Sequence, residues 1–378
     1  MAQSLFPDVS VRVYFLDQLK EEHIELSAFK TTRLGELWSW CCESLGFPLK
    51  TVGKYFSIWG HKGPMEIPLD TELSLEHMVK KLPQAYTQAS PVVDSHKEFR
   101  LYFRRSATAP SSMDKALMGN ISYHQAAPML FHEAARDVQN SHYVFDEEDS
   151  LKLARLQLQI LRGEGGGKRF DIGQSRADMV AKLIPRHLLK ERTASRWEDL
   201  IFNQVLNHDG SDLISIYLDH VRGFPQYGSV FSEVTLSSSS DDEDMKYDDI
   251  TMGINERGIH FVRFIRGHVV LSENPQNTSW NDLATLSIPF SSVMACHIQG
   301  KKLHIHFNLP TKNNASQALR RKRWKLKSPN IDILIFVFQE WIKIRKTQEL
   351  YGPRASTSGS ECSSPSTPSS PASQRMKT

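Results

Sequence analysis

The stretch EEDSLKLARLQLQIL, residues 147–161, decides how the middle of this chain folds. Its acidic first turn complements the positive end of a helix dipole, and the apolar residues that follow surround the helix on most sides. These residues are Leu151, Leu153, Leu156, Leu158, Ile160 and Leu161. A helix that is apolar around most of its circumference is buried by other helices. Because further helical periodicities flank it, we expect an all-α lobe over residues 112–223.

The segment before this lobe, residues 9–106, carries strand patterns. Runs rich in β-branched and aromatic residues begin at Val11, Tyr55, Met65 and Phe99. An amphipathic helix over residues 34–45 separates the first strands from the later ones, since its apolar residues recur at intervals of three and four. This order predicts a ubiquitin-like roll.

The segment after the helical lobe, residues 226–346, returns to strand patterns. Seven strand-like runs precede an amphipathic helix over residues 330–346. This arrangement is typical of a pleckstrin-homology or phosphotyrosine-binding barrel closed by a C-terminal helix. An acidic insert, residues 237–249, is expected to interrupt the barrel as a solvated loop. The Ser/Pro-rich tail, residues 347–378, is expected to be disordered because it contains too few apolar residues to form a core.

Composition limits the classes of function. A formal charge of +3 and a pI near 8.5 are too mild to indicate a nucleic-acid partner. Cys41, Cys42, Cys296 and Cys362 show no metal or redox spacing and are interpreted as free thiols in a reducing compartment. No signal peptide is expected, and the longest apolar run falls short of the roughly 20 residues that span a bilayer. We therefore expect a cytoplasmic chain whose membrane contact is peripheral.

Several collinear stretches resemble one known family. They are LFHEAARDV at 130–138, LARLQLQ at 153–159, LIP at 183–185, YGSVF at 227–231, MGINERGI at 252–259 and IPF at 288–290. In these residues and in the order of its lobes, the chain resembles the FERM domain family. The resemblance implies an α+β multidomain fold: a ubiquitin-like roll, an all-α bundle like acyl-CoA-binding protein, and the barrel. YFSIW at 55–59 and LYFRR at 101–105 are similar to small scaffold members, of the Krev-interaction-trapped and inactive-rhomboid-associated types.

The resemblance implies a non-enzymatic scaffold or adaptor in signalling. Its expected partners are cytosolic tails of membrane proteins, with a small GTPase across the first two lobes and anionic lipids as further candidates. A membrane–cytoskeleton linker is the alternative. A regulatory fragment related to FERM-containing enzymes is disfavoured because only residues 347–378 follow the barrel. No cofactor and no nucleic acid are expected.

Within the barrel, the resemblance implies a peptide-binding groove between the strand at 294–299 and the helix at 332–342. An open strand edge can pair with an extended peptide while the helix contacts its side chains. The residues expected to line the groove are Ala295, His297, Ile298, Phe338 and Ile342. The alternative is an edge covered by one of the chain's own loops.

The densest basic residues indicate a lipid-binding site. They are Lys301, Lys302, Arg320, Arg321, Lys322 and Arg323. Each basic residue near an anionic leaflet contributes on the order of 1 kcal/mol, so four or more support peripheral binding to phosphoinositides. A solvated loop face is the main alternative, and a nuclear-localisation signal is another.

Two further patterns concern phosphorylation and metals. Ser238, Ser239 and Ser240 each have an acidic residue three positions later, and Ser364, Thr367 and Ser370 each precede proline. We expect phosphorylation at these positions, with unmodified solvated linkers as the alternative. His297, His304 and His306 are expected on one face, but without a carboxylate or cysteine at fixed spacing they make a weak zinc site. No metal site is predicted.

Overall fold

The computed structural model describes residues 9–16, 22–62, 65–78, 100–119, 125–164, 175–203, 212–240, 243–263, 285–300, 302–310, 319–328 and 331–351. The fold expected from the sequence is present: a roll, a helical bundle and a barrel follow one another along the chain.

The first lobe is a five-stranded sheet crossed by one helix. Its elements are β1 (Val9–Leu16), β2 (Glu22–Ala28), α1 (Leu34–Ser44), β3 (Phe56–Lys62), β4 (Met65–Pro68) and β5 (Arg100–Arg105). The strand order is β2-β1-β5-β3-β4, and β1 pairs with β5 in parallel, which is the mixed topology of a ubiquitin-like roll. Helix α1 buries Leu34, Leu37, Cys41 and Cys42, which share one face at helical spacing. Burial raises the pKa of both thiols to about 12.

The second lobe is helical in its described part. Its helices are α2 (Ser112–Met118), α3 (Ala126–Gln139), α4 (Glu147–Glu164), α5 (Arg176–Leu183), α6 (Ala194–Phe202) and α7 (Leu213–Arg222). Helix α4, which contains the opening stretch, packs against α5, α6 and α7. Trp197, Tyr143 and Tyr217 are fully buried in this core. The expectation of a buried central helix is confirmed.

The third lobe is a seven-stranded antiparallel sheet covered by a helix. Its elements are β6 (Val230–Ser240), β7 (Glu243–Asn255), β8 (Gly258–Arg263), β9 (Thr285–Pro289), β10 (Val293–Gln299), β11 (Lys302–Pro310), β12 (Leu319–Lys327) and α8 (Ile331–Tyr351). The strand order is β10-β11-β12-β6-β7-β8-β9. Helix α8 inserts Leu334, Val337 and Trp341 into a core that includes Phe307 and Trp324. It ends at Tyr351, five residues after the expected end at Lys346.

The acidic insert differs from its expectation as a loop. Strand β6 continues through Ser240 and β7 starts at Glu243, so residues 237–240 and 243–249 extend the barrel as a hairpin. The strands stay in register here, with Ser237 opposite Lys246 and Ser240 opposite Glu243. Charge composition favours a loop here, but pairing of the β6 and β7 backbones forms a strand pair instead.

The three lobes share buried contacts. Trp59, Tyr102 and Ala107 of the first-lobe segment belong to the core cluster of the barrel. Ala126 and Met129 of α3 belong to the cluster of the roll. Phe231 of β6 stacks on His142 of the second lobe, with ring centroids 4.2 Å apart. Each pair of lobes is therefore joined by side chains that are also part of a core.

The described helices include none that is long and apolar enough to cross a bilayer. The described residues also contain no group of three or more histidine, cysteine, aspartate or glutamate side chains placed to hold a metal ion.

Candidate functional site

The candidate site lies at β10, which is an end strand of the third-lobe sheet. Among the described strands, β10 pairs with β11 on one side and with no strand on the other. Helix α8 packs against both β10 and β11. The strand edge and the helix therefore form a rim with unpaired backbone groups on one side and apolar side chains on the other.

The expected groove residues divide between the two faces of β10. Residues that pair across an antiparallel ladder share a face, and Ile298 pairs with Leu303, a fully buried core residue. Ile298 is therefore on the α8 side, where Phe338 and Ile342 also pack. Ala295 and His297 pair with His306 and His304 and lie on the opposite face. The structure thus places Ile298 on the side of the sheet where Phe338 and Ile342 pack, and it places Ala295 and His297 on the opposite face.

The α8 side of the rim is apolar. Ile298 is 38% exposed on this side, and Met294, at the bulge of the same strand, is 47% exposed, both large values for apolar side chains. Phe338, at 7%, is part of the core, and its ring meets Phe290 edge-on with centroids 5.6 Å apart. Cys296 lies between these strand residues, and burial raises the pKa of its thiol to about 12. The thiol is therefore neutral at physiological pH and contributes apolar surface.

The opposite face of β10 and β11 carries the three histidines. The His297 and His304 rings stack with centroids 5.3 Å apart, and His306 lies 5.7 Å from His297. His304 is 4% exposed. Burial lowers the pKa of His304, and the nearby His297, Arg323, Lys325 and His306 lower it further. This face is cationic, and it becomes more so when its histidines are protonated.

The basic run lies in strand β12 instead of a loop. Side chains alternate along a strand, so a run of four consecutive basic residues cannot share one face. Arg321 pairs with Asn308 and Arg323 pairs with His306, on the histidine face. Arg320 pairs with Leu309 and Lys322 pairs with Phe307, at positions of the other face. The expected lipid site is thereby split into two pairs.

The remaining predicted residues fall elsewhere. Lys302 begins β11 after a turn at Gly300, whose φ of +62° favours glycine, whereas Lys301 lies outside the described residues. Ser238, Ser239 and Ser240 are strand residues of β6, and Ser238 also pairs with Trp324 of β12. Ser364, Thr367 and Ser370 lie outside the described part of the chain.

A buried polar junction between the lobes was not predicted. Arg105 Nε lies 3.3 Å from Asp114 Oδ1, and the Tyr227 hydroxyl donates to Asp114 Oδ2 at 2.7 Å. Arg105 and Tyr227 both occur in stretches that resemble the family. The sequence does not show that Arg105 and Tyr227 meet at Asp114, because more than a hundred residues separate the two.

A cavity beside this junction is too small for a cofactor. It lies between the first two lobes, beside Tyr102, Met129 and Glu133, and its volume is about 20 Å³. That space accommodates one water molecule, which needs roughly 10–15 Å³. Pockets that hold small ligands measure roughly 300 Å³ or more.

Comparisons with known proteins agree with this architecture. Residues 118–231 match the family model of the FERM central domain. The chain is 28% identical over 200 residues to FERM domain-containing protein B of Dictyostelium discoideum, an alignment that covers 51% of this chain and 39% of that protein. The chain therefore spans well under half the length of this curated relative.

Two solved structures share the fold at low identity. The human myosin 7b C-terminal MyTH4-FERM domain, solved with the harmonin-a PDZ3 domain, has a TM-score of 0.58 at 13% identity, covering 89% of this chain and 60% of that one. The Drosophila Merlin complex of FERM and C-terminal domains has a TM-score of 0.53 at 14% identity, covering 90% and 99%. The family model thus matches the second lobe, and the chain shares its three-lobed fold with these FERM-containing structures.

Proposed function

We propose that this chain is a non-enzymatic FERM scaffold that binds the cytosolic tail of a membrane protein at the inner face of the plasma membrane or of an endomembrane. The tail is bound as an extended segment that pairs with the edge of β10. The observation that carries this proposal is the combination, at one rim, of an end strand and an apolar helix face.

An end strand has one backbone edge that no neighbouring strand covers. Its unpaired N–H and C=O groups can form main-chain hydrogen bonds with any extended segment, which provides affinity. Side chains on one face of the added strand then contact Ile298 and Ile342, which provides selectivity. Ile298 and Met294 are exposed in the chain alone, so an added strand would remove apolar surface from water.

Affinity capture from solubilised membranes tests the proposal. Ile298→Asp places a charge on the exposed part of the rim without disturbing the core. Phe336→Asp is the matched control, because Phe336 is a 49% exposed residue of α8 that is not part of the core cluster. A tail bound at the rim is lost with Ile298→Asp and retained with Phe336→Asp. Equal capture by the two variants would place the binding site elsewhere. Phe338→Asp is unsuitable because Phe338 is a core residue.

Anionic lipids are a second proposed ligand. Support comes from the basic residues of β12 and from Lys302, which lie near the same end of the sheet as β10. A chain held at a membrane by these residues would keep its rim close to a tail that emerges from the bilayer.

The small-scaffold subgroup and a small GTPase partner are further parts of this proposal. A GTPase across the first two lobes requires that these lobes keep one relative orientation. The ion pairs of Arg104 with Glu133 and of Arg136 with Glu66 connect the roll to α3 at 3.1 and 3.2 Å and support such an orientation.

A further inference from the structure

The two faces of β10 differ in chemistry, and this difference constrains what can bind there. Successive side chains of an added strand point to opposite faces. Every second residue would face α8, beside Ile298 and Ile342, and the residues between would lie beside Ala295 and His297. A strand docked on β10 therefore contacts an apolar surface with the side chains of one face and a histidine-bearing surface with those of the other.

The histidine-bearing surface is cationic over three strands. Strand β10 contributes His297, and β11 contributes Lys302, His304 and His306. Strand β12 adds Arg323 and Lys325 at the register of His306 and His304. Arg321 and Lys327 are the outer positions of the same face. No carboxylate occupies this face on the described positions of β10 to β12.

Beyond β12, strand β6 carries a carboxylate on the same face. Thr235 of β6 pairs with Lys327, and Glu233 lies two residues before Thr235, so it shares that face. Glu233 is separated from β10 by three strand spacings of about 4.8 Å each, which exceeds the Debye length of about 8 Å at physiological salt. Its charge is therefore screened from a segment docked on β10.

We propose that the segment bound at β10 alternates apolar and acidic residues, with the acidic residues beside His297 on the histidine-bearing face, and that it binds more tightly as the pH falls. This inference rests on the proposed function, because it specifies the chemistry of the segment that pairs with the rim. The direct neighbour of the bound strand is His297. Ala295 and Gln299 are the other residues of β10 on this face, and Ala295 is small enough to leave room for a longer acidic side chain beside His306.

The direction of the pH effect follows from the charges. In the chain alone, burial and the surrounding cations hold the pKa of His304 below its ordinary value of 6.5. Carboxylates of a bound segment oppose those cations and favour protonated histidine. Binding therefore takes up protons, and affinity rises as the pH falls into the histidine range. The carboxylates themselves remain ionised until the pH approaches about 4.3.

The test uses the full chain and two synthetic peptides. In the first peptide, valine and glutamate alternate, and in the second each glutamate is replaced by glutamine. Fluorescence anisotropy measures both affinities from about pH 7.5 to about pH 5.5, the range in which histidine titrates. The valine–glutamate peptide is expected to bind roughly threefold or more tightly at the lower pH, as one additional exposed ion pair predicts. The valine–glutamine peptide is expected to show no such change.

Two histidine variants test which residue causes the pH dependence of peptide binding. His297→Gln is expected to remove the pH dependence of valine–glutamate peptide binding. His23→Gln, at an exposed histidine of β2, is the control and is expected to retain the full effect. If both peptides bind with equal affinity at every pH, the proposal is wrong although the rim remains a peptide site.

Two other outcomes distinguish failure of the proposed function from failure of the acidic-segment proposal alone. If neither peptide binds, or if Ile298→Asp does not weaken the valine–glutamine peptide, pairing at the rim itself fails, and with it the proposed function. If His297→Gln leaves both the affinity and the pH dependence of the valine–glutamate peptide unchanged, the acidic residues do not contact His297, and the acidic-segment proposal is overturned.

Discussion

Nη1 of Arg105, the last residue of β5, donates to the carbonyl oxygen of Gly228 at 3.1 Å. Gly228 immediately precedes Ser229 and β6, so this bond joins the end of the first lobe to the entrance of the third. Gly228 has a φ of +71°, and a Cβ there would lie 2.5 Å from the same guanidinium nitrogen. The approach of Arg105 to this backbone therefore requires glycine in both conformation and space.

Removing Arg105 should destabilise the whole chain. Arg105→Met leaves Asp114 buried without its cation, and breaking a buried pair in this way typically costs about 3–5 kcal/mol. Urea unfolding would measure the loss. Arg33→Met is the control, since Arg33 pairs with Glu72 at 2.7 Å with both side chains more than half exposed, and such pairs contribute about 0–1 kcal/mol. Similar losses in the two variants would show that the junction is not a buried clamp.

A second variant separates loss of the pair from loss of packing. Adding Asp114→Asn to Arg105→Met removes the unpaired charge and keeps an acceptor for the Tyr227 hydroxyl. We expect this double variant to recover part of the lost free energy of unfolding. No recovery would mean that the guanidinium acts through its packing and its bonds to backbone carbonyls.

Acid should weaken the contact between the first two lobes through Glu66. Burial alone raises the pKa of Glu66, but Arg104 and Arg136 outweigh that effect and hold it well below its ordinary value of 4.5. The stabilisation is therefore complete above pH 4.5 and is lost as the pH falls below it toward the pKa of the folded state. Glu66→Gln should flatten the dependence of unfolding free energy on pH in that range. Glu72→Gln, at an exposed ion pair, should leave it unchanged.

A separate pH effect is expected from His260 at somewhat higher pH. Burial and Arg257 lower the pKa of His260 to about 4, and its ring nitrogens meet Ser287 Oγ and Asn255 Oδ1 at 2.9 Å each. The unfolded chain binds this proton below about pH 6.5, so stability should fall between pH 6.5 and 4 by at most about 1.4 kcal/mol per pH unit. Thermal unfolding of His260→Gln should show a shallower slope in this range, because burial also lowers the pKa of His187 to about 4 and that contribution remains. His23→Gln should retain the full slope.

The proposed lipid site should depend on which face of β12 loses its charges. Arg321→Gln with Arg323→Gln removes two charges from the histidine face, and Arg320→Gln with Lys322→Gln removes two at positions of the other face. We expect the first pair of substitutions to weaken binding to anionic liposomes, measured by co-sedimentation, by about 2 kcal/mol or roughly 30-fold. The salt dependence of that binding should also become smaller. The second pair should have a smaller effect. Equal effects would indicate attraction by net charge alone.

The elements were largely predictable because each has a local signal. The apolar periodicity of residues 147–161 predicted a buried helix, and the run near Val293 predicted a strand, as observed. The face of the sheet on which each side chain lies was harder to predict. Ala295 and Ile298 are three residues apart in the expected groove strand, so alternation alone places them on opposite faces. The pairing with β11 decides which of the two faces α8, and that register is a tertiary property that composition does not predict.

The junction and the acidic hairpin were missed for related reasons. Arg105 and Gly228 are 123 residues apart, and nothing local marks them as partners. The segment Ser237–Ser240 has the composition of a solvated linker, yet β7 supplies it with backbone partners. The junction depends on a long-range contact, whereas in the hairpin the continued pairing of two adjacent strands outweighs the local preference.

Hydrogen exchange at the two end strands of the barrel, with a bound tail, tests the central claim most directly. The amides of β10, residues 293–299, are expected to exchange more slowly when the captured tail is bound, because its backbone pairs with them. The amides of β9, residues 285–289, lie at the other end of the sheet and should be unaffected. Slower exchange at β9, or in the first two lobes, with β10 unchanged would contradict the account.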